Sequence, residues 1–373
     1  MRIGIDIRTA GGNKVGKGWF TFNIARTLLK LDKENQYILY ASGGIAGFEE
    51  FDNAELRIVE QKGILWHRTV AKDITQSDID IFYAPSSYII PALLSKKSGT
   101  KIFFTVHDLV AFLFKGSGNI KARLTEKLFI KRALKRAEKI TVISENTKKD
   151  LMDLLKVPEE KIVTTLCAAD DHYFPIPESE ENIKALRAFR LKTGLPEKFF
   201  LSVGTIEPRK NYETLLKAFA LINKSHPDTH LVIVGKEGWG DSKQAVEEII
   251  TSNYLQKYVH ILGYLTNKTI NKLYNLSQAL VFPSYYEGFG LPPLEAMQAG
   301  CPVIASNTSS IPEVVGEAAI LCDPENPSSF AQAMDDISTN PNLRTDLINK
   351  GRIQSKKFNW EDIAKVILRE FKS

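Results

Sequence analysis

The sequence predicts an α/β fold built from two doubly wound domains, each a parallel sheet crossed by helices. Three observations predict it. Short β-rich runs alternate with amphipathic helical stretches from end to end. The 373 residues are too many for one ordinary core, at roughly 150 residues per domain. A proline-bearing acidic stretch, Phe174-Pro-Ile-Pro-Glu-Ser-Glu-Glu181, interrupts the alternation near its middle.

In chain order, the first half supplies strands over Arg2–Arg8, Tyr37–Tyr40, Leu56–Val59, Ile79–Ala84, Lys101–Val106, Lys139–Ile143 and Lys161–Leu166. The second half supplies Phe199–Val203, His230–Val234, Val259–Leu262, Ala279–Phe282, Pro302–Ala305 and Ala319–Leu321. The break between them sets a first domain over 1–178 and a second over 179–357, which opens with the helix Glu180–Thr193. Open sheets of this kind take ligands at the carboxyl ends of their strands, so two of them facing each other are expected to enclose a deep cleft.

Composition narrows the class. A hydrophobic fraction of 43% with 25% charged residues is that of a globular protein, and no stretch approaches the ~20 apolar residues of a spanning helix. Met1 leads directly into the strand-like run Ile3-Gly4-Ile5-Asp6-Ile7, so the expectation is a cytoplasmic protein. Cys167, Cys301 and Cys322 have neither disulfide-framework nor metal spacing and read as reduced, packed thiols. The net charge of +5 suits a phosphate-bearing ligand or an anionic membrane surface without naming either.

The strongest local signal is Ser284-Tyr-Tyr-Glu-Gly-Phe-Gly-Leu-Pro-Pro-Leu-Glu295, a glycine loop between the strand Ala279–Phe282 and a helix start. Gly288 and Gly290 let backbone approach a ligand, and amides at the helix N-terminus favour a diphosphate. Glu287 on the loop and Glu295, read as first-turn, can face one ligand and accept hydrogen bonds from vicinal hydroxyls, as sugars and ribose offer. The alternative is that Glu295 complements the helix dipole and Glu287 is solvated. The second signal is Leu201-Ser-Val-Gly-Thr-Ile-Glu-Pro-Arg-Lys-Asn, a strand ending at Gly204 and then a polar turn. Arg209 and Lys210 there can neutralise a diphosphate and stabilise charge growing on it, or form a solvated basic turn.

Together these segments resemble the retaining glycosyltransferases of family 4, which have the two-domain GT-B fold of Rossmann-like halves. Val203-Gly-Thr-Ile-Glu-Pro-Arg-Lys-Asn, Val232-Ile-Val-Gly, Ile261-Leu-Gly-Tyr and Glu287-Gly-Phe-Gly-Leu-Pro-Pro-Leu-Glu-Ala carry the resemblance, in order, over the second half. It implies that Glu287 contacts the transferred sugar, Glu295 holds the ribose, and Arg209 and Lys210 bind the diphosphate. It also implies donor contacts from Gly204, from Gly263, Tyr264 and Leu265 near the base, and from Gly288, Phe289, Gly290 and Leu291. Retention, and a terminal helix within 358–373 that crosses back onto the first domain, follow from the resemblance too.

In the first half, Gly11-Gly-Asn-Lys-Val-Gly-Lys-Gly18 precedes a helix from about Trp19 to Lys30. It is similar to the family's loop near the donor phosphate and the acceptor, which points to Gly16, Lys17 and Gly18; a structural tight turn is the plainer reading. His107 closes the strand Lys101–Val106, where the family often carries a histidine beside the reacting sugar; a structural histidine is the alternative. Ser144 reads as an N-cap. Asp78-Ile-Asp80 has a metal-binding form but lies at a strand's entrance, so no metal site is expected. The Lys- and Arg-rich stretch Lys121–Lys139 reads as a crossover helix, with Leu124, Leu128, Ala133, Leu134 and Ala137 packed on the core and the basic face solvated. Contact with anionic lipid is its alternative.

The implied reaction is metal-independent hexosyl transfer with retention, in which the nucleotide sugar is a substrate and no cofactor is needed. GDP-mannose is the favoured donor, with UDP-glucose or UDP-N-acetylglucosamine as alternatives. The expected partners are that donor, a saccharide or lipid-linked acceptor and peripherally an anionic membrane, with no nucleic acid. A nucleotide-sugar epimerase of the same fold and a non-catalytic nucleotide-sugar-binding protein are the rival readings.

Overall fold

The runs read as strands form two wholly parallel sheets in the computed structural model. The structure describes every residue except 13, 15, 96, 97, 115, 117–119 and 241, and describes 120–123 by backbone alone. The first sheet contains β1 (Arg2–Asp6), β2 (Gln36–Ala41), β3 (Ala54–Ile58), β4 (Ile81–Ala84), β5 (Lys101–Val106), β6 (Lys139–Val142) and β7 (Ile162–Thr164), in the order β3-β2-β1-β4-β5-β6-β7. The second contains β8 (Lys198–Val203), β9 (Thr229–Val234), β10 (Val259–Ile261), β11 (Leu280–Phe282), β12 (Val303–Ser306) and β13 (Ala319–Cys322), in the order β10-β9-β8-β11-β12-β13. Each order reverses once, between β1 and β4 and between β8 and β11. Connections leave opposite faces at such a reversal, which opens a crevice at the strands' carboxyl ends.

Helices cover both faces of a parallel sheet, so its strands read as continuous apolar runs. Tyr37 to Ala41 and Phe103 to Phe104 are buried without alternation in the first sheet, as are Leu231 to Val234 and Val303 to Ala305 in the second. The chain forms two compact units, Met1–Cys167 with Asn359–Ser373, and Ala168–Phe358. The crossing falls ahead of the proline stretch because residues 170–176 are already tied into the second unit. Phe174 N donates to Asn271 Oδ1 at 3.0 Å, Ile176 N to Asn275 Oδ1 at 2.7 Å, and Gln298 Nε2 to Tyr173 O at 2.9 Å. The terminal helix Trp360–Phe371 belongs to the first unit. Trp360 packs edge-on against Phe20 at 5.6 Å, and Phe371 against Phe103 at 5.0 Å.

One helix departs from its expected packing. The helix Ile120–Arg136 buries Ile130, Ala133 and Leu134, with Ala137 just beyond it, but leaves Leu124 and Leu128 exposed. Helical geometry explains the split, because Leu124 and Leu128 share a stripe that points away from the buried set. Of the basic residues expected there, the side chains of Lys121 and Arg123 lie outside the described residues. Among the described residues no helix is long and apolar enough to cross a membrane.

Neighbouring strands β8 and β9 leave the second sheet so close together that the first residue after β9 must be glycine. A Cβ on Gly235 would stand 1.8 Å from the carbonyl oxygen of Gly204, backbone held by the Gly204 N–H to Val234 O bond of 2.9 Å. Gly235→Ala is therefore expected to lower the thermal midpoint by at least about 3 °C, as overpacking costs about 1–3 kcal/mol. Differential scanning calorimetry checks this, and an unchanged midpoint would mean that the two strand exits part freely.

Candidate active site

The turn after β8 carries Arg209 and Lys210, and local chemistry locks its shape. Ile206 N donates to Lys236 O at 2.8 Å and Gly238 N to Ile206 O at 3.0 Å, so the exits of β8 and β9 stay zipped beyond the sheet. A 3₁₀ turn, Pro208–Lys210, ends at Asn211, which adopts a left-handed conformation (φ 56°) and caps the helix Tyr212–Ser225 by accepting from Thr214 N. The Asn211 amide donates to Pro283 O at 3.1 Å and to Pro324 O at 2.7 Å, which bolts the basic turn to the segments following β11 and β13.

That bolt brings the two sequence signals together across the reversal between β8 and β11. Lys210 Nζ lies 2.6 Å from Glu287 Oε1, and Arg209 Nη1 lies 2.7 Å from Glu287 Oε2. Arg209 Nε also meets Glu207 Oε1 at 2.5 Å, and Nη1 donates to Tyr286 O at 2.9 Å. Lys210, Glu207 and Glu287 are all buried, so the solvated readings of Glu287 and of the Arg-Lys pair do not hold. Burial works against charge on Glu287, but Lys210 and Arg209 outweigh it and hold the carboxyl below its usual range. Burial, with Arg209 beside it, holds the Lys210 ammonium below its usual value despite Glu287. The ammonium also lies over the Phe282 ring, 4.8 Å from its centroid.

The glycine loop is pinned by hydroxyls that sequence reasoning did not single out. Ser309 Oγ donates to Glu287 O at 2.7 Å, and Ser310 Oγ donates to Phe289 O at 2.6 Å. The Ser-Ser pair just before Ile311-Pro312 was a capping signal that could have flagged them. Phe289 is buried edge-on against Phe358 at 5.6 Å, which leaves only its backbone to face a ligand. The helix Leu291–Gln298 starts at Gly290, but Pro292 and Pro293 carry no N–H. The expected row of helical amides is thereby reduced to Leu291, with the loop amides of Gly288 and Gly290 ahead of it.

Glu295 lies beyond the first turn of that helix, which holds no acidic residue, so the dipole reading loses its basis. It stands beside two tyrosines instead. Tyr274 OH donates to Glu295 Oε2 at 3.2 Å, and Tyr173 bonds it as well. Burial pushes the Glu295 carboxyl up to about 7, against the lowering pull of those two hydroxyls. Gly263, Tyr264 and Leu265 join β10 to the helix Asn267–Leu276 at a strand's carboxyl end. Tyr264 is exposed, with Lys236 Nζ 4.7 Å from its ring centroid. Gly204 borders the network, since a Cβ there would stand 3.3 Å from Lys210 Cε.

In the first unit, the helix Lys17–Leu31 starts after Gly16, earlier than expected. Gly18 is forced by contact, because a Cβ there would lie 2.7 Å from Thr9 O. Lys17 Nζ is 3.6 Å from Asp108 Oδ2. Asn13 and Val15 of this loop lie outside the described residues. His107 is buried against Phe20 at 4.8 Å, with Nε2 2.8 Å from Pro85 O. Burial, aided by Lys17, lowers its pKa to about 4, so the ring is neutral at physiological pH. Ser144 accepts from Thr147 N at 3.0 Å as an N-cap. Asp80 Oδ2 accepts from Arg2 N at 2.7 Å at the entrance of β4. Among the described residues, no group of three or more His, Cys, Asp or Glu side chains could hold a metal ion.

The Glu295 shift has a signed consequence. Below pH 4.5 the group is protonated folded or unfolded; between 4.5 and about 7 only the unfolded chain ionises, so the folded state loses stability as pH rises through that window. Glu295→Gln is expected to remove this component, so that the variant gains a few degrees of thermal midpoint on the native chain between pH 4.5 and 7. Melting curves across that range measure it, and parallel profiles would mean that Glu295 titrates normally.

Two family models match the chain. One, Glycosyltransferase Family 4, covers residues 18–172, and the other, Glycosyl transferases group 1, covers residues 187–354. O-antigen chain mannosyltransferase B of Escherichia coli is 29% identical over 294 residues, 78% of this chain and 74% of its own length. A serotype-specific mannosyltransferase WbdA of Escherichia coli is 29% identical over 84% of this chain, which spans only 40% of that protein. Among solved structures, Anabaena Alr3699/HepE in complex with UDP and glucose shares the fold, with a TM-score of 0.79 over 100% of both chains at 18% identity. Parallel sheets in each unit, the ordered motifs and both family models agree: the chain belongs to the family 4, group 1 glycosyltransferases of GT-B fold.

Proposed function

We propose that this glycosyltransferase moves a hexose, with retention and without a metal, from a nucleotide-diphosphate donor to a saccharide or lipid-linked saccharide acceptor in surface polysaccharide assembly. The observation that carries the reading is the pair of cations, Arg209 and Lys210, converging on Glu287 at the strand reversal of the second sheet. GDP-mannose is the favoured donor, with a UDP-hexose next, since the relatives at 29% identity are named for mannosyl transfer.

Each group has a role. Arg209 and Lys210 take the diphosphate and stabilise charge as the anomeric carbon–oxygen bond breaks. The acceptor oxygen bonds to that carbon on the same face, and its proton passes to the departing phosphate. Glu287 holds both cations with one lone pair on each oxygen and keeps the others for sugar hydroxyls. Glu295 takes the ribose hydroxyls, with loop amides from Gly288 to Leu291 around the phosphates. Gly263 to Leu265 flank the base. In the first unit Lys17, between Gly16 and Gly18, serves the phosphate or acceptor, and neutral His107 serves the sugar as a hydrogen-bonding group rather than an acid.

Lys210→Ala and Arg209→Ala are expected to lower kcat by about 10²–10³-fold while weakening donor binding much less, because their charges act most strongly on the transition state. Transfer assays at saturating donor measure this, and normal turnover would make them binding groups only. Activity is expected to persist in EDTA; full loss rescued by magnesium or manganese would overturn the metal-free reading. Glu295→Ala is expected to weaken the free nucleoside diphosphate and the intact donor alike, each by about tenfold or more. Calorimetric titration checks this, and unchanged affinities would remove Glu295 from the ribose.

A further inference from the structure

We propose that β3 is a self-pairing edge, through which the first sheet joins that of a second copy of this chain about a twofold axis at Leu56. β3 ends the strand order, so β2 lies on one side and no described strand pairs with the other. Toward β2, Asn53 O accepts from Tyr37 N at 2.8 Å, and Val59 N donates to Ala41 O at 2.9 Å. Alternation along the strand therefore turns the backbone groups of Glu55 and Arg57 inward to β2 and those of Leu56 and Ile58 outward. The side chains at that edge are exposed, Leu56 at 38% and Ile58 at 50%, although Leu39 and Ala41 beside them on β2 are buried. Natural sheets blunt a free edge with proline, lysine or a bulge. The run Ala54-Glu-Leu-Arg-Ile58 has none of these.

The order of those five residues selects the occupant. Run antiparallel about an axis at Leu56, the strand meets its own copy with Leu56 opposite the partner's Leu56, Glu55 opposite the partner's Arg57 and Ala54 opposite the partner's Ile58. Opposite charges then face each other, and apolar groups face apolar groups. The backbone agrees with this register. Leu56 N–H donates to the carbonyl of the partner's Leu56, and Ile58 N–H to that of the partner's Ala54, each bond repeated by symmetry. Moving the axis to position 55 or 57 would oppose glutamate to glutamate or arginine to arginine and bring inward-turned backbone groups together. Arg57 touches Glu55 of its own strand at 2.7 Å and Asp73 at 2.6 Å, which holds the guanidinium at the edge. Two copies of the pair Glu55 and Arg57 thus close into a ladder of alternating charge, while Leu56 and Ile58 carry the apolar row of β2 across the junction.

The inference concerns the first unit and does not depend on the donor or acceptor. The test is sedimentation velocity of the full chain across a dilution series. The native chain is expected to pass from monomer to dimer as concentration rises. Glu55→Arg opposes arginine to arginine across the axis, and Leu56→Lys opposes two ammonium groups on it. Each is expected to raise the dimer dissociation constant at least about tenfold. The thermal midpoint of the monomer and the nucleoside diphosphate affinity should match the native chain, since both side chains are exposed on the first unit. An equal mixture of Glu55→Arg and Arg57→Glu chains is expected to regain native association, because each then meets its complement. If Arg57→Glu misfolds, having lost its bond to Asp73, the other two variants decide alone. A native chain that stays monomeric, native association by Glu55→Arg or Leu56→Lys, or a folded mixture that fails to associate would each overturn the proposal.

Discussion

A buried carboxylate clamped by two cations organises the second unit. Glu287 receives Lys210 at 2.6 Å and Arg209 at 2.7 Å, and Arg209 reaches on to Glu207. Taking such charges out of water is costly, and the attraction repays it only where geometry is good and other polar atoms are satisfied. The surrounding sequence supplies those conditions. Asn211 anchors the basic turn, Tyr285 N donates to Arg209 O at 2.8 Å, and the hydroxyls of Ser309 and Ser310 fix the carbonyls of the glycine loop. Removing one partner would strand a charge in the interior, so the network holds or fails as a unit.

The network's place follows from topology. Consecutive strands β8, β9 and β10 build outward in one direction, and β11 to β13 build in the other, so the loops after β8 and β11 become neighbours although 77 positions separate Lys210 from Glu287. The first sheet also reverses, between β1 and β4, but its charge pair joins the exits of β1 and β5 and is weaker. Lys17 and Asp108 meet at 3.6 Å with 46% and 25% of their side chains exposed, so water screens most of their attraction. One unit thus holds a rigid charge cluster near its reversal, while the other carries an exposed lysine on a glycine-bearing loop.

Two carboxylates, Glu207 and Glu287, balance two cations, Arg209 and Lys210, so the resting network carries no net charge. An arriving diphosphate must therefore share cations that already have partners, which keeps them aimed and limits reorganisation during bond breaking. Glu295 behaves differently. Its hydrogen-bond partners are tyrosines rather than cations, and burial pushes its carboxyl up, towards the protonated form. The two glutamates of one motif are thus set to opposite charge preferences by their neighbours alone.

Much of this was legible in the chain itself. Alternation of apolar runs and amphipathic stretches specified two doubly wound sheets, because burial on both faces demands uninterrupted apolar strands. The glycine loop, the Arg-Lys turn and both glutamates were also readable, since each lies just after an apolar strand, at the end where such sheets bind ligands. What lay beyond the sequence needed partners distant along the chain. The place of Glu295 beyond the first helical turn, Glu207 as an anchor for Arg209, and Ser309 and Ser310 under the loop all depend on contacts between separate strand exits. The unit boundary moved because Asn271, Asn275 and Gln298 capture the segment that the prolines had marked as a junction. Periodicity placed Leu124 and Leu128 on a helix, but only the packing of Ile130, Ala133 and Leu134 decided which side faced the core and left those leucines in water. A sequence states which side chains share a stripe; tertiary contacts alone decide which stripe is buried.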